Sequence, residues 1–218
     1  MSGAPGDSYG GYRDRLVETL RAKGIRDLAV LKAVAEVPRH LFVPPALRAQ
    51  AYEDTSLPIG NAQTISQPST QARALEALRL GGREKVLEVG LGSGYQTALL
   101  GRLAGQVFAV ERIAALAEAA RSALDAAGAR NVSILVGDGT LGWRAYAPYD
   151  AIVVAAASPE VPAPLLEQLA PGGRLLLPLG PRDAQVLTLV TLEASGPVRE
   201  PLTDARFVPL VGRHGFDA

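Results

Sequence analysis

Residues 86–94, Val-Leu-Glu-Val-Gly-Leu-Gly-Ser-Gly, limit the chain to few folds: a short apolar run empties into a loop with glycine at alternate positions, and helix-forming residues follow from 95 to 103. A run of that length bounded by glycine reads as a strand buried on both faces. Gly90, Gly92 and Gly94 let the backbone come close to a ligand, and the free amides opening the next helix suit a polar or anionic group. A second apolar run, 107–110, ends at Glu111, roughly twenty residues on, where such folds place an acid on a ribose diol. A dinucleotide loop would read Gly-x-Gly-x-x-Gly, and a Walker loop would need Gly-Lys-Ser/Thr. The spacing found here, Gly-x-Gly-x-Gly, favours S-adenosylmethionine over NAD or ATP.

From residue 85 the pattern alternates between strand and helix: strands at 86–89, 107–110, 132–136, 151–155 and 174–179, with helices at 95–103, 114–127 and 164–169. That alternation predicts an α/β fold, Rossmann-like, with a mostly parallel sheet and helices on both faces. The runs 185–192 and 206–211 have little helix between them and predict an antiparallel C-terminal edge. Upstream, 12–23 and 27–37 carry helical spacing, separated by Gly24 and closed by Pro38. The stretch 39–68 is rich in Pro, Gly, Asn, Ser and Thr, reads as a long functional loop, and ends where Pro68 opens another helix. The expected organisation is a frayed tail over 1–10 and one domain over 11–218. Within it, 11–80 forms a helical and loop-rich cover and 81–218 the Rossmann-like core.

The 22 basic residues balance 22 acidic ones, so the chain has no strong field for nucleic acid or an anionic membrane. Absence of cysteine removes disulfides, thiolate metal sites and thiol catalysis, and points to the cytoplasm. The first ten residues lack the basic start and apolar centre of a signal peptide, and no later run is long and apolar enough to span a bilayer. His40 and His214 are far apart without ligand-like neighbours, so no metal site is expected, and His40 reads as packed or hydrogen-bonded beside Phe42.

In a parallel sheet the ligand lies beyond the carboxyl ends of the strands, at the turns 90–94, 111, 137–140 and 155–158. Asp138, within Gly137-Asp-Gly139, has two readings, a contact to the cofactor or a cap on the following turn. Ser66, just before the helix opened by Pro68, also has two: helix capping, or orienting a carboxylate together with the free amides of Ser69 and Thr70. Trp143, Tyr146 and Tyr149 read as core rather than as base-stacking residues. The segment 206–210 reads equally as one more sheet strand or as an edge for an extended peptide.

Three segments together resemble the protein-L-isoaspartate (D-aspartate) O-methyltransferase family: Pro-Ile-Gly-Asn-Ala-Gln-Thr-Ile-Ser-Gln-Pro at 58–68, the glycine loop, and Gly-Asp-Gly-Thr-Leu-Gly-Trp-Arg-Ala-Tyr-Ala-Pro-Tyr-Asp-Ala-Ile at 137–152. Val-Pro-Arg-His-Leu-Phe-Val-Pro at 37–44, 155–162, 169–174 and 206–210 extend the likeness over nearly the whole chain. The resemblance implies methylation of the α-carboxylate of L-isoaspartyl residues in damaged proteins, with Ser66 as the active-site hydroxyl and Thr64, Ile65 and Ser66 closing over cofactor and substrate. It further implies S-adenosylmethionine contacts at Thr64, Ile65, Gln67, Glu88, Gly90, Gly92, Ser93, Gly94, Glu111, Arg112, Gly137, Asp138 and Gly139. Isoaspartyl peptides are the implied partner of a cytoplasmic monomer that uses no metal. S-adenosylhomocysteine is the implied product.

Two positions depart from the family pattern. Ala62 stands where the family usually has the second glycine before Gln-Thr-Ile-Ser, so a positive φ there is strained. Val211 stands where Thr commonly follows Val-Pro-Leu. The runner-up reading keeps the cofactor and redirects it to an aspartate of a dedicated peptide. A cofactor-binding protein without turnover, a nucleic-acid methyltransferase and a dehydrogenase are the more distant alternatives; a nucleic-acid enzyme would carry Asn/Asp-Pro-Pro-Tyr/Phe where Ala-Ala-Ala-Ser stands at 155–158.

Overall fold

The computed structural model describes residues 9–217. The expected tail at 1–10 therefore lies outside the described residues over 1–8, and Gly10 already belongs to the first helix, α1 (Gly10–Ala22). The second helix, α2 (Leu28–Glu36), begins at an Asp27 cap whose carboxylate accepts the amides of Ala29 and Val30. The stretch 39–68 is more ordered than its composition predicts. It holds two short 3-10 turns, Arg39–Phe42 and Pro45–Gln50, then a hairpin of β1 (Leu57–Gly60) and β2 (Gln63–Ile65). Pro68 opens α3 (Pro68–Leu78), as its fixed φ and missing amide suit a first helical position.

Seven strands then build one sheet: β3 (Lys85–Val89), β4 (Gln106–Glu111), β5 (Val132–Val136), β6 (Tyr149–Val154), β7 (Leu169–Leu179), β8 (Gln185–Glu193) and β9 (Gly196–Ala205). Their order is β5-β4-β3-β6-β7-β8-β9, parallel through β7 and antiparallel beyond it. The helices α4 (Tyr95–Leu103), α5 (Ala114–Ala126) and α6 (Ala163–Leu166) connect the parallel strands. The chain leaves β3 toward β5 and returns to β6 on its other side, so the strand order reverses between β3 and β6. A ligand crevice forms outside the carboxyl ends at such a point.

Strand alternation divides the core. Val86, Val107, Ala109, Ala151 and Val153 point to the face covered by α1 to α5, while Leu87, Val89, Phe108, Val110, Ile152 and Val154 point to the other. Trp143 and Tyr146 pack around Phe108 on that second face, with ring centroids 5.6 and 4.3 Å away; Trp143 takes the core role predicted, whereas Tyr146 stacks on Phe108 from an exposed position.

Two strand assignments need correction. The edge strand is 196–205, and 206–211 is not a sheet strand. Pro209 lacks an amide for a continued ladder, and the segment instead crosses the end of β6, giving a carbonyl from Val208 to Ala157 (2.8 Å) and taking one at the Leu210 amide (2.7 Å). The helix predicted at 164–169 is shorter, because β7 already begins at Leu169 and pairs with Tyr149 before a register shift.

Candidate active site

The glycine loop is tied down at both ends. Gly90 donates to the Val110 carbonyl (2.9 Å) and Gly94 to the Leu91 carbonyl (2.9 Å). Gly92 donates to Oε2 of Glu111 (2.9 Å), whose Oε1 accepts the Ile113 amide (2.9 Å). Each carboxylate oxygen thus retains acceptor capacity for a ligand. Gly94 has a different task. Its φ is +86°, and a Cβ there would lie 3.1 Å from that of Ala120, so the third glycine lets α4 begin directly against α5.

Glu88 shares strand parity with Val86 and so faces α4. There it is fully buried and accepts hydrogen bonds from Gln96 Nε2 (3.0 Å) and Thr97 Oγ1 (2.5 Å). Burial pushes its pKa up to about 8 even though both donors favour the ionised form.

Asn61 and Ala62 connect β1 to β2 with φ of 51° and 55°, the left-handed pair of a two-residue hairpin loop. Ala62 therefore adopts the strained conformation anticipated for it. Ile59 on this hairpin reaches over Gly92, its Cδ1 lying 3.6 Å from where a Cβ would stand. After β2 the chain turns at Ser66 into α3.

Ser66 does not cap that helix: Gln67 occupies the cap position, and no side chain makes the capping bond. The amides expected to be free are also engaged. Ser69 donates to Asp54 Oδ1 (2.7 Å) and Thr70 to the Gln67 carbonyl (3.1 Å). Burial would raise the Asp54 carboxyl, but bonds from Lys23 and Ser69 outweigh it and hold its pKa low.

Two cavities meet at Ser66. A cleft of about 790 Å³, counting space open to solvent, lies at the crevice and is lined by Thr64, Ile65, Ser66, Glu88, Gly90, Gly92, Ser93, Glu111, Arg112 and Gly139 among the predicted residues. An open groove of about 1330 Å³ lies between the start of α3 and 203–207, lined by Ser66, Gln67, Ser69, Thr70, Arg73 and Arg206 among others. Gln67 belongs to the groove, and Gly94, Gly137 and Asp138 line neither cavity. Gln63, Gln71, Gln96 and Ile113 line the cleft without having been singled out in the sequence, and residues 208–211, read there as a strand or peptide edge with Val211 a departure from the family pattern, line it too. For Gln71 the available signal was its position four residues after Gln67, on the same helical face.

Asp138 caps and clips. Its carboxylate accepts Thr140 N (2.9 Å), Thr140 Oγ1 (2.7 Å) and, from far along the chain, Arg213 N (2.8 Å). Burial opposes ionisation, yet these bonds prevail and lower its pKa. His40 hydrogen-bonds Tyr52 Oη (2.7 Å) through Nδ1 and stacks on Tyr9 at 4.0 Å. Among the described residues no group of three or more His, Cys, Asp or Glu could hold a metal ion.

The cleft fits an adenosyl ligand. Glu111 offers a fixed pair of acceptors for vicinal hydroxyls, and the glycine loop removes side-chain bulk beside it at the mouth of the crevice. Comparison with known proteins agrees. The family model for protein-L-isoaspartate(D-aspartate) O-methyltransferase matches residues 12–215. A protein-L-isoaspartate O-methyltransferase of Geobacter metallireducens is 53% identical over 94% of this chain and 95% of its own length. One from Aeropyrum pernix is 52% identical over 96% of this chain and 83% of its own. A solved protein-L-isoaspartate O-methyltransferase superposes with a TM-score of 0.84 at 30% identity, over 93% of this chain and 67% of that one. A Plasmodium falciparum structure assigned to the same class, in complex with S-adenosyl-L-homocysteine, gives a TM-score of 0.79 at 26% identity, over 91% of this chain and 98% of its own.

Proposed function

Because the chain belongs to the protein-L-isoaspartate(D-aspartate) O-methyltransferase family, we propose that its two cavities divide one reaction, with S-adenosylmethionine in the cleft, an isoaspartyl peptide in the groove, and the reacting atoms meeting at Ser66. The activity is methylation of the α-carboxylate of L-isoaspartyl residues in damaged proteins, which starts their repair because the ester collapses through a succinimide. Relatives named for isoaspartate at about half identity favour this substrate over a dedicated aspartyl peptide. The observation that carries the site reading is that Ser66 lines both cavities without capping the helix behind it.

S-adenosylmethionine supplies a methyl group on a sulfonium, which leaves as the neutral thioether S-adenosylhomocysteine with the electron pair of the broken C–S bond. The protein has little acid–base work to do. A carboxylate with an ordinary pKa of about 4 is already ionised at neutral pH, no proton is transferred, and the product is a neutral ester. In our reading the residues contribute alignment and exclusion of water. Glu111, Gly90, Gly92 and Ser93 hold the adenosyl end, Thr64, Ile65 and the β1–β2 hairpin cover it, and the Ser66 hydroxyl orients the carboxylate. Positioning of this kind contributes roughly 7–11 kcal/mol, against about 3–5 kcal/mol for general acid–base catalysis.

We also read the enzyme as a cytoplasmic monomer, since one chain builds both cavities and no second copy is needed to complete them. The test is Ser66→Ala, assayed with an isoaspartyl peptide and its normal aspartyl twin. Wild type is expected to methylate only the isoaspartyl form, and the variant to lose at least tenfold in turnover with its melting temperature unchanged. Full turnover by Ser66→Ala would remove Ser66 from the reaction; equal methylation of the twins would remove the isoaspartyl reading.

A further inference from the structure

Arg39 is wholly buried, and among the described residues no carboxylate forms an ion pair with it, Asp54 acting on it only at longer range. Burying a guanidinium without a carboxylate in contact costs stability that an apolar side chain of the same length would avoid. Its contacts form a pattern. Nη2 donates to the Ser66 carbonyl (2.7 Å), Nη1 donates to Gln71 Oε1 (2.9 Å), and the guanidinium carbon lies 4.6 Å from the centroid of the Tyr95 ring. Ser66 lies where cleft and groove meet, Gln71 lines the cleft, and Tyr95 is the first residue of the helix that follows the glycine loop. One planar cation therefore touches the cofactor side and the substrate side together.

The bond to Ser66 also fixes an orientation. The Ser66–Gln67 peptide is trans, so its N–H points away from the edge that bears the carbonyl. With the Ser66 carbonyl held toward the buried guanidinium, the Gln67 amide faces the opposite way, and it has no acceptor among the described residues. The Ser66 hydroxyl has none either. Burial brings Arg39 down to about 10, so it stays charged at neutral pH and polarises this peptide throughout.

We infer that Arg39 is a positioning residue for methyl transfer: by holding the Ser66–Gln67 peptide from behind, it keeps the Ser66 hydroxyl and the Gln67 amide set as two donors for the substrate carboxylate. The inference rests on the placement of the substrate at Ser66. Arg39 reaches the reaction through that peptide and touches neither reactant.

The experiment compares wild type, Arg39→Lys, Arg39→Met and Ser66→Ala for isoaspartyl-peptide kcat and KM, S-adenosylhomocysteine affinity by calorimetry, and melting temperature. Lysine keeps the charge and loses the two-pronged geometry. Arg39→Lys is expected to lower kcat by about tenfold and Arg39→Met by about a hundredfold, the scale of losing a preorganised donor, with affinity for S-adenosylhomocysteine within about threefold of wild type. Wild-type kcat in Arg39→Lys, or a loss of cofactor affinity as large as the loss of turnover, would overturn the positioning role. If Arg39→Met does not fold, Arg39→Lys decides. Ser66→Ala separates the premises: its full activity would refute the substrate placement, whereas its loss beside an unaffected Arg39→Lys would refute Arg39 alone.

Discussion

Gly92 donates its amide to Oε2 of Glu111 at 2.9 Å, so the centre of the glycine loop is held by the acid that ends the neighbouring strand. The bond makes loop shape, and in the proposed site also cofactor binding, depend on one buried carboxylate whose Oε1 already accepts from Ile113. A glutamine there would have to turn an NH₂ toward one of those two amides. Glu111→Gln is expected to weaken S-adenosylhomocysteine binding by about ten- to a hundredfold, in line with hydrogen bonds to charged groups worth about 1.5–3 kcal/mol. Isothermal titration checks it, and an unchanged Kd would show that Glu111 serves only the loop.

Ala62 lies in the left-handed region at φ 55° with its side chain exposed, so replacing it removes strain and no contact. Left-handed geometry costs a residue with a Cβ about 1–2 kcal/mol, and glycine loses about 0.5–1 kcal/mol more chain freedom on folding. Ala62→Gly is expected to gain about 0.5–1 kcal/mol in urea denaturation. A lower midpoint at unchanged m-value would contradict the strain.

Asp138 shows how a pH dependence follows from hydrogen bonding. Its folded pKa lies below the ordinary 3.8, so its contribution is present above that value and is lost as pH falls through the folded pKa. Asp138→Ala removes the acceptor for Thr140 and Arg213 and is expected to cost about 1–2 kcal/mol at neutral pH. The gap from wild type should narrow as pH falls below the ordinary 3.8 and through the lower folded pKa. Urea titrations across that range test it; a gap constant with pH would assign the loss to packing.

The elements most legible in the sequence are those whose signal is local. The helix Tyr95–Leu103 and the strand Val132–Val136 lie where residue periodicity and the glycine loop put them. The edge strand was not legible. Residues 196–205 contain Pro197, Pro201 and four charged or hydroxyl-bearing neighbours, a composition tolerated because the strand pairs only with β8 and has a register shift near Pro201. The more apolar 206–211 looked like strand, but its neighbours are the end of β6 and the cleft, a non-local outcome. The same holds at the site. Gly90, Gly92 and Glu111 could be read from spacing, whereas the partners of Glu88 and the burial of Arg39 depend on which helix covers which strand face.

Glu88 makes the opposite electrostatic case to Asp138. Burial beneath α4 raises its carboxyl to about 8, well above the 4.5 of a free glutamate, so the folded protein keeps a proton that the unfolded chain gives up. The sign follows from that difference. The contribution is intact below about pH 4.5 and is progressively lost as pH rises toward 8, beyond which the buried group is ionised and no further loss accrues. Glu88→Gln removes the ionisation while keeping the shape and an acceptor for Thr97 or Gln96. In cofactor-free protein, the stability of the variant relative to wild type is therefore expected to rise steadily between about pH 5 and 8 and to level off above. Chemical denaturation at several pH values measures the difference directly. Parallel profiles for the two proteins would mean that Glu88 is ionised at neutral pH, held so by Thr97 and Gln96 despite its burial.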